Sequence, residues 1–291
     1  MLYTIQNSVL TVTVADHGAE LQSILDPDGT EYLWQGDPAY WKDRAINLFP
    51  YVAGLTEETY VLDGQRYHMD IHGLAPYWTF RLAAQAPDRL CLELTDTEET
   101  YGHYPRHFAF RIHYVLRENT LEITYEVENR DDRTMYFGLG GHPGFRVPLA
   151  EGRRFEDYRL RFADPCQPRR VRFTPACFRT GETTPFSLQD GTTLPLRHDL
   201  FNEDAIVLEQ VSPCVTLEAE GNPHHVTVRF PQMPYLGIWH MPKTDAPYVC
   251  LEPWCSLPSK QDEIAVLEEQ ADLLRLPAGE TYRNRWQITI A

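Results

Sequence analysis

The stretch Ala109-Phe-Arg-Ile-His-Tyr-Val-Leu-Arg-Glu-Asn-Thr-Leu-Glu-Ile-Thr-Tyr-Glu-Val127 contains two segments of alternating apolar and polar residues. This period of two is the pattern of a strand with one buried face. The polar break at Glu118-Asn119 predicts a hairpin between them. The stretch therefore indicates two long antiparallel strands.

Similar alternating segments occur from the first residues to the last, and no linker or charge block divides the chain. Evenly spaced, half-apolar strands are typical of an antiparallel sandwich or barrel, so we predict an all-β protein. We predict a polar loop over Thr97–Pro105, and Gln261–Gln270 is the one stretch with an ambiguous helical pattern. We expect a single domain over residues 1–291.

The charge balance limits the partners of the protein. It carries 42 acidic against 26 basic residues, a formal net charge of -16. This balance argues against nucleic acid or an anionic membrane as partner, and a strongly anionic substrate is disfavoured. The first residues lack the features of a signal peptide, and no apolar run reaches membrane-spanning length. Six scattered cysteines indicate reduced thiols, so we expect a cytoplasmic location.

Two histidines stand next to glycine. His142 lies in Tyr136-Phe-Gly-Leu-Gly-Gly-His-Pro-Gly-Phe-Arg146, where glycine permits close backbone approach and proline restricts φ. We therefore predict that His142 is displayed on a rigid turn, where it can exchange a proton near neutral pH. His72, in Ile71-His-Gly73, also ends a strand. Either histidine, taken alone, also fits a structural role.

Two carboxylates complete the set of candidates. Glu252 ends the apolar segment Tyr248–Glu252 and is followed by Pro253-Trp254. A partly desolvated carboxylate has a raised pKa and can act as a base at neutral pH, with a histidine across the pocket as the acid. Asp204 precedes another apolar strand, where an aspartate also serves as a turn cap.

Motifs for several other chemistries are absent. The sequence contains no GxSxG, phosphate-binding loop, GxGxxG after an opening strand, or HExxH motif. Cys250 and Cys255 lack the spacing of a zinc site. We expect neither a cofactor nor a metal.

An ordered set of motifs resembles the aldose 1-epimerases, the galactose mutarotase-like proteins, and in particular their LacX-like branch. The resemblance covers nearly the full length. The motifs, in order, are Gly18-Ala-Glu-Leu-Gln-Ser-Ile, Gly29-Thr-Glu-Tyr-Leu-Trp-Gln-Gly-Asp, Leu48-Phe-Pro-Tyr-Val, Ile71-His-Gly-Leu-Ala, Gly141-His-Pro-Gly-Phe, Cys250-Leu-Glu-Pro-Trp-Cys and Leu276-Pro-Ala-Gly-Glu-Thr-Tyr.

The resemblance implies a large antiparallel β-sandwich, the galactose mutarotase-like supersandwich, with an open cleft for a small-molecule sugar. It also implies that Glu252 takes the proton of the anomeric hydroxyl while His142 protonates the ring oxygen, so that the ring opens and closes to the other anomer. His72 matches a second, sugar-binding histidine. Asp204 matches an aspartate that holds sugar hydroxyls, although Asp199 or Glu203 could be the matching residue instead.

One departure concerns an arginine that the family often carries after the Phe-Pro strand, where this chain has Gly54. We predict that Arg44 replaces it in space, or that sugar binding is altered. Two alternatives follow: a non-catalytic carbohydrate-binding or regulatory protein on the same scaffold, and a hexose-6-phosphate 1-epimerase that uses the Arg153-Arg154 or Arg169-Arg170 pair. A glycosidase that uses Glu252 and Asp204 is a further alternative, which depends on the separation of the two carboxylates.

Overall fold

The structure, a computed structural model, describes residues 1–291. It consists of 24 strands, one short α-helix and four 3₁₀ turns. The strands of the first half are β1 (Leu2–Gln6), β2 (Thr11–Ala15), β3 (Leu21–Leu25), β4 (Ala45–Leu48), β5 (Thr59–Leu62), β6 (Gln65–His68), β7 (Arg81–Ala86), β8 (Arg89–Thr95), β9 (Phe108–Arg117), β10 (Thr120–Asn129), β11 (Met135–Phe137) and β12 (Gly140–Arg146).

The strands of the second half are β13 (Tyr158–Phe162), β14 (Arg169–Phe173), β15 (Arg179–Pro185), β16 (Thr193–Pro195), β17 (Ile206–Glu209), β18 (Cys214–Ala219), β19 (Val226–Arg229), β20 (Tyr235–Trp239), β21 (Tyr248–Trp254), β22 (Ala265–Val266), β23 (Leu274–Leu276) and β24 (Thr281–Ile290). The helix α1 covers Glu98–His103, and the 3₁₀ turns cover Thr56–Glu58, Ala75–Tyr77, Phe155–Asp157 and His198–Phe201.

Two large antiparallel sheets form a sandwich. One has nine strands in the order β16-β13-β18-β19-β24-β10-β9-β8-β7, and the other has seven in the order β15-β14-β17-β20-β21-β12-β4. The predicted hairpin β9–β10 lies near the centre of the larger sheet, and Arg117 pairs with Thr120 across the two-residue loop. The all-β prediction is confirmed.

The space between the two sheets is the main core, a cluster of 65 buried residues. Period-two alternation explains its composition: Ile123 and Tyr125 of β10 and Val249 and Leu251 of β21 all belong to it. A polar contact also joins the sheets, because the hydroxyl of Tyr125 donates to Asn47 Oδ1 at 2.8 Å. Buried apolar area of this extent is the dominant source of stability in a sandwich.

One local prediction was wrong, and one ambiguous pattern is resolved. Residues 98–103 form α1 rather than a loop, because Thr97 and Thr100 make a capping box in which each side chain accepts from the other residue's backbone N–H, at 3.1 and 2.7 Å. Gln261–Gln270 contains no helix, and instead Ala265–Val266 adds as a parallel strand to β5. That short pairing joins residues far apart in sequence.

Candidate active site

The outer face of the seven-stranded sheet carries a cavity of about 580 Å³. Residues 249 and 251 of β21 point into the main core, so Cys250, Glu252 and Trp254 point to the opposite face. All three are nevertheless buried, because loops from other parts of the chain cover this face.

His142 and Glu252 lie opposite each other on neighbouring strands. The flanking pairs Gly140–Trp254 and Gly144–Cys250 fix the antiparallel register of β12 and β21, which places His142 across from Glu252. Directly opposed side chains on one face of a sheet are close neighbours. Nε2 of His142 lies 3.2 Å from Oε2 of Glu252, and the two residues are 8% and 1% exposed.

The strand placement corrects two expectations. His142 lies inside β12, paired with Ile46 of β4, rather than on a turn. Glu252 lies inside β21, which continues through Pro253 to Trp254. The glycines on either side of His142 make room for neighbouring side chains: a Cβ at Gly141 would lie 2.6 Å from Trp286 Cζ2. The run of glycines therefore reflects close packing between layers rather than turn geometry.

His72 and Asp204 lie in the same cavity. The rings of His72 and His142 have centroids 5.6 Å apart and an interplanar angle of 84°. His72 adopts a left-handed φ of 68°, and its Nδ1 accepts the backbone N–H of Ala53 at 3.1 Å. A neutral His72 therefore carries its proton on Nε2 and offers a donor to a ligand.

Asp204 lies two residues before β17 and also has a left-handed φ, of 75°. Its Oδ1 accepts the backbone N–H of Ala205 at 2.9 Å, and its Oδ2 accepts the thiol of Cys177 at 2.7 Å. These two donors orient the carboxylate at the cavity wall. Burial and the Asp204 charge raise the pKa of the Cys177 thiol to about 12, so the thiol remains protonated as a donor.

Arg44 does not line the cavity. Its Nη1 donates to the backbone carbonyl of Gln22 at 2.7 Å and to Oε1 of Gln35 at 3.2 Å, which holds the guanidinium in the opening segment of the chain. At Gly54, a Cβ would lie 3.6 Å from Cε1 of Phe178. The cavity wall beside Gly54, where the family often carries an arginine, is therefore aromatic. No arginine from another part of the chain lines the cavity.

Several aromatic residues form the site without having been predicted to do so. The ring of Trp41 lies 4.9 Å from that of His142, and the ring of Trp239 lies 5.6 Å from it, nearly perpendicular. The alternation of β20 does place Gly237 and Trp239 on one face, but only the assembled sheet shows which face carries the site. These rings shield His142 from water.

Burial determines the protonation of the catalytic candidates. It raises the pKa of Glu252 well above its usual range, and the nearby charge of Asp204 adds to the effect. It lowers the pKa of His142 well below its usual range, with a contribution from His72, and lowers that of His72 to about 4. Burial alone therefore favours a carboxylic acid beside a neutral imidazole. Transfer of one proton across the 3.2 Å contact converts this pair to carboxylate and imidazolium.

The electrostatics of the cavity are acidic. Lys42 is the only lysine or arginine among the lining residues. The acidic residues of the lining are Glu20, Asp43, Glu58, Glu203, Asp204 and Glu252.

Two groups of side chains are close enough together to offer ligand atoms to one metal ion. In each group the possible ligand atoms lie within 4.8 Å of one another. The first group, inside the cavity, is His142, Cys250 and Glu252, and the second, exposed, is Glu58, His68 and Asp70.

The chain matches a known protein family over nearly its whole length. A family model described as aldose 1-epimerase matches residues 1–289. The chain belongs to the aldose 1-epimerase family. The resemblance drawn from the sequence is confirmed.

Relatives of this aldose 1-epimerase family member cover its whole length. The plasmid-encoded protein LacX of Lactococcus lactis subsp. lactis is 30% identical over 299 residues, which are 100% of this chain and 99% of LacX. A galactose mutarotase related enzyme from Lactobacillus acidophilus superposes with a TM-score of 0.95 at 33% identity, covering 100% of this chain and 97% of that one.

A galactose mutarotase-like protein from Lactobacillus casei ATCC 334 gives a TM-score of 0.93 at 29% identity and covers 100% of both chains. The sandwich of this family member is therefore shared with galactose mutarotase-like structures. No helix of the protein is both long enough and apolar enough to cross a membrane.

Proposed function

We propose that this protein is an aldose 1-epimerase that interconverts the α and β anomers of an unphosphorylated hexose or related sugar. The observation that carries the proposal is the contact between His142 Nε2 and Glu252 Oε2, 3.2 Å apart in a buried cavity. Ring opening of an aldose requires proton transfer at two oxygens bonded to the same carbon, the anomeric hydroxyl and the ring oxygen. An acid and a base side by side match that requirement.

In the proposed reaction, the carboxylate of Glu252 takes the proton of the anomeric hydroxyl, and the electron pair of that O–H bond becomes the second bond of an aldehyde. The bond from the anomeric carbon to the ring oxygen breaks, and the ring oxygen receives the proton of His142. Rotation of the aldehyde group and the reverse steps close the ring to the other anomer. Each proton transfer by a positioned group typically contributes about 10²–10⁴-fold in rate.

The two residues together need to hold one exchangeable proton. Burial favours that proton on Glu252 in the free site, whereas the reaction starts with it on His142. A sugar hydroxyl that donates to Glu252 stabilises the carboxylate, and a ring oxygen that accepts from His142 stabilises the imidazolium. Substrate binding therefore favours the reactive distribution of the proton without exchange with solvent. His72 Nε2–H and the carboxylate of Asp204 serve as a donor and an acceptor for the sugar hydroxyls.

The acidic cavity argues against a phosphorylated substrate. Arg153, Arg154, Arg169 and Arg170 all lie outside the lining, where Lys42 is the only cation. A phosphate group in this cavity would face carboxylates, which repel it. A panel of free and phosphorylated sugars tests this: we expect acceleration of mutarotation for free hexoses, and at least tenfold lower kcat/KM for the 6-phosphate esters.

Polarimetry with freshly dissolved glucose or galactose tests the mechanism. We expect that Glu252→Gln and His142→Ala each reduce the accelerated rate by at least 10²-fold, with unchanged far-ultraviolet circular dichroism. Glu209→Gln is the matched control, since Glu209 lies on β17 of the same sheet but outside the cavity lining. Wild-type mutarotation in either site variant would refute the assignment. Sugar binding by wild type without any acceleration would instead support a non-catalytic carbohydrate-binding protein.

A further inference from the structure

Trp254 has a buried indole N–H that makes no hydrogen bond of ordinary geometry. It lies two residues after Glu252 on β21, on the same face, and is 4% exposed. Its indole Nε1–H has no hydrogen-bond partner, and neither does Oε1 of Glu252. An indole nitrogen can only donate and a carboxylate oxygen can accept, so the two unpartnered atoms are chemically complementary. Buried polar groups without partners are uncommon in folded proteins.

The packing of the indole shows why these atoms are neighbours. A Cβ at Gly140 of β12 would lie 2.8 Å from Cδ1 of Trp254, and a Cβ at Gly237 of β20 would lie 3.2 Å from Cζ2. The ring therefore lies across β21 from one neighbouring strand to the other, over two glycines. Nε1 lies on the ring edge between Cδ1 and Cζ2.

That edge faces the carboxyl group. Gly237 pairs directly with Glu252, and the same Cβ at Gly237 would lie 3.4 Å from Cδ of Glu252. Trp254 Cζ2 and the carboxyl carbon of Glu252 thus pack side by side over one glycine. Burial raises the pKa of the Glu252 carboxyl group, and the nearby indole N–H lowers that pKa by a smaller amount.

We propose that Trp254 is a positioning residue for Glu252: its indole N–H donates to Oε1 of the carboxylate and stabilises the form that accepts the anomeric proton. This inference rests on the proposed function and adds a residue to it. A hydrogen bond to the ionised form favours that form and so opposes the effect of burial. Because the indole neither ionises nor accepts a proton here, it can stabilise the carboxylate without competing for the transferred proton.

Other ionisable groups also face Glu252 and affect its titration. They are His142 on β12 with His72 behind it, Cys250 on β21, and Asp204 with Glu203 before β17. Replacement of Trp254 leaves all of them in place. A change in the Glu252 titration that is shared by a smaller ring and by an isosteric ring without the N–H therefore reports the loss of the indole N–H.

The test is Trp254→Phe, with a second variant in which residue 254 is β-(3-benzothienyl)alanine, an isostere of tryptophan that lacks the N–H. Infrared titration of the buried carboxyl band without sugar, assigned by its loss in Glu252→Gln, gives the apparent pKa of Glu252. We expect an increase of about one to two pH units in both variants, as befits one hydrogen bond to a charged group. We also expect kcat to fall about tenfold and KM to change less than twofold.

Trp286→Phe is the matched control, because the Trp286 indole N–H is likewise buried and unpartnered but faces the main core. It should leave the Glu252 titration unchanged. An unchanged carboxyl titration in the two Trp254 variants overturns the proposal, and so does a rise in KM at constant kcat, which would assign the N–H to a sugar hydroxyl. If wild type does not accelerate mutarotation, the proposed function fails, while the titration still decides the contact between Trp254 and Glu252.

Discussion

Alanine at Gly237 should displace the side chain of Glu252. Gly237 lies on β20 opposite Glu252 and outside the left-handed φ region, so the backbone accepts alanine without strain. Its Cβ would lie 3.2 Å from both Glu252 Cβ and Trp254 Cζ2, closer than ordinary contact. The Cβ of Glu252 is fixed by its strand, so the Glu252 carboxyl group and the indole ring must shift by a few tenths of an ångström.

Two opposing effects set the size of the change in stability. Gly→Ala restricts the unfolded chain and stabilises by about 0.4–1 kcal/mol. Overpacking typically costs about 1–3 kcal/mol. We therefore expect a net loss of about 1 kcal/mol in the free energy of unfolding. Misplacement of a catalytic group by about 1 Å can cost about 10²-fold in rate, so a smaller shift predicts about a tenfold loss of kcat.

Urea unfolding and polarimetric kcat measurements check the two magnitudes for Gly237→Ala. Gly54→Ala is the control: this glycine also lines the cavity outside the left-handed φ region, but its Cβ would meet only Phe178 at 3.6 Å, an ordinary contact. We expect Gly54→Ala to keep wild-type kcat. Wild-type kcat in Gly237→Ala would refute the view that this glycine provides the space for the Glu252 side chain.

Three further predictions concern pH, substrate binding and thiol reactivity. Burial lowers the pKa of His240 to about 4, so between about pH 6.5 and 4 the folded protein binds fewer protons than the unfolded chain and loses stability as pH falls. Measured by urea unfolding, the decrease in the free energy of unfolding from pH 7 to pH 5 should be about 2 kcal/mol smaller in His240→Gln than in wild type. An unchanged pH dependence would contradict this. Arg44→Gln should leave KM within twofold of wild type, because the guanidinium is held by Gln22 outside the cavity, whereas a tenfold increase would place it at the sugar. Asp204→Asn should lower the pKa of the Cys177 thiol and speed its alkylation by iodoacetamide, and an unchanged rate would show that burial alone protects the thiol.

The hairpin at residues 108–129 shows what local sequence can decide. Its alternation, its β-branched and aromatic residues and its two-residue break are all local properties, and the observed register follows them. The helix at Glu98–His103 was missed, although the Thr97–Thr100 capping box is also a local signal. In Gln261–Gln270 the pattern was ambiguous, because pairing with β5 depends on a strand about two hundred residues earlier.

The sequence by itself determined the all-β class, and its ordered motifs indicated the aldose 1-epimerase family. It also singled out the four residues His72, His142, Asp204 and Glu252, which the structure brings to one cavity; their roles stay a prediction. Only the tertiary structure decided that His142 lies in a strand opposite Glu252, that Arg44 stays outside, and that Trp254 lies over two glycines beside the carboxyl group. The reason is that strand register and the covering loops join segments far apart in the chain, and local alternation specifies the two faces of a strand but not its neighbours.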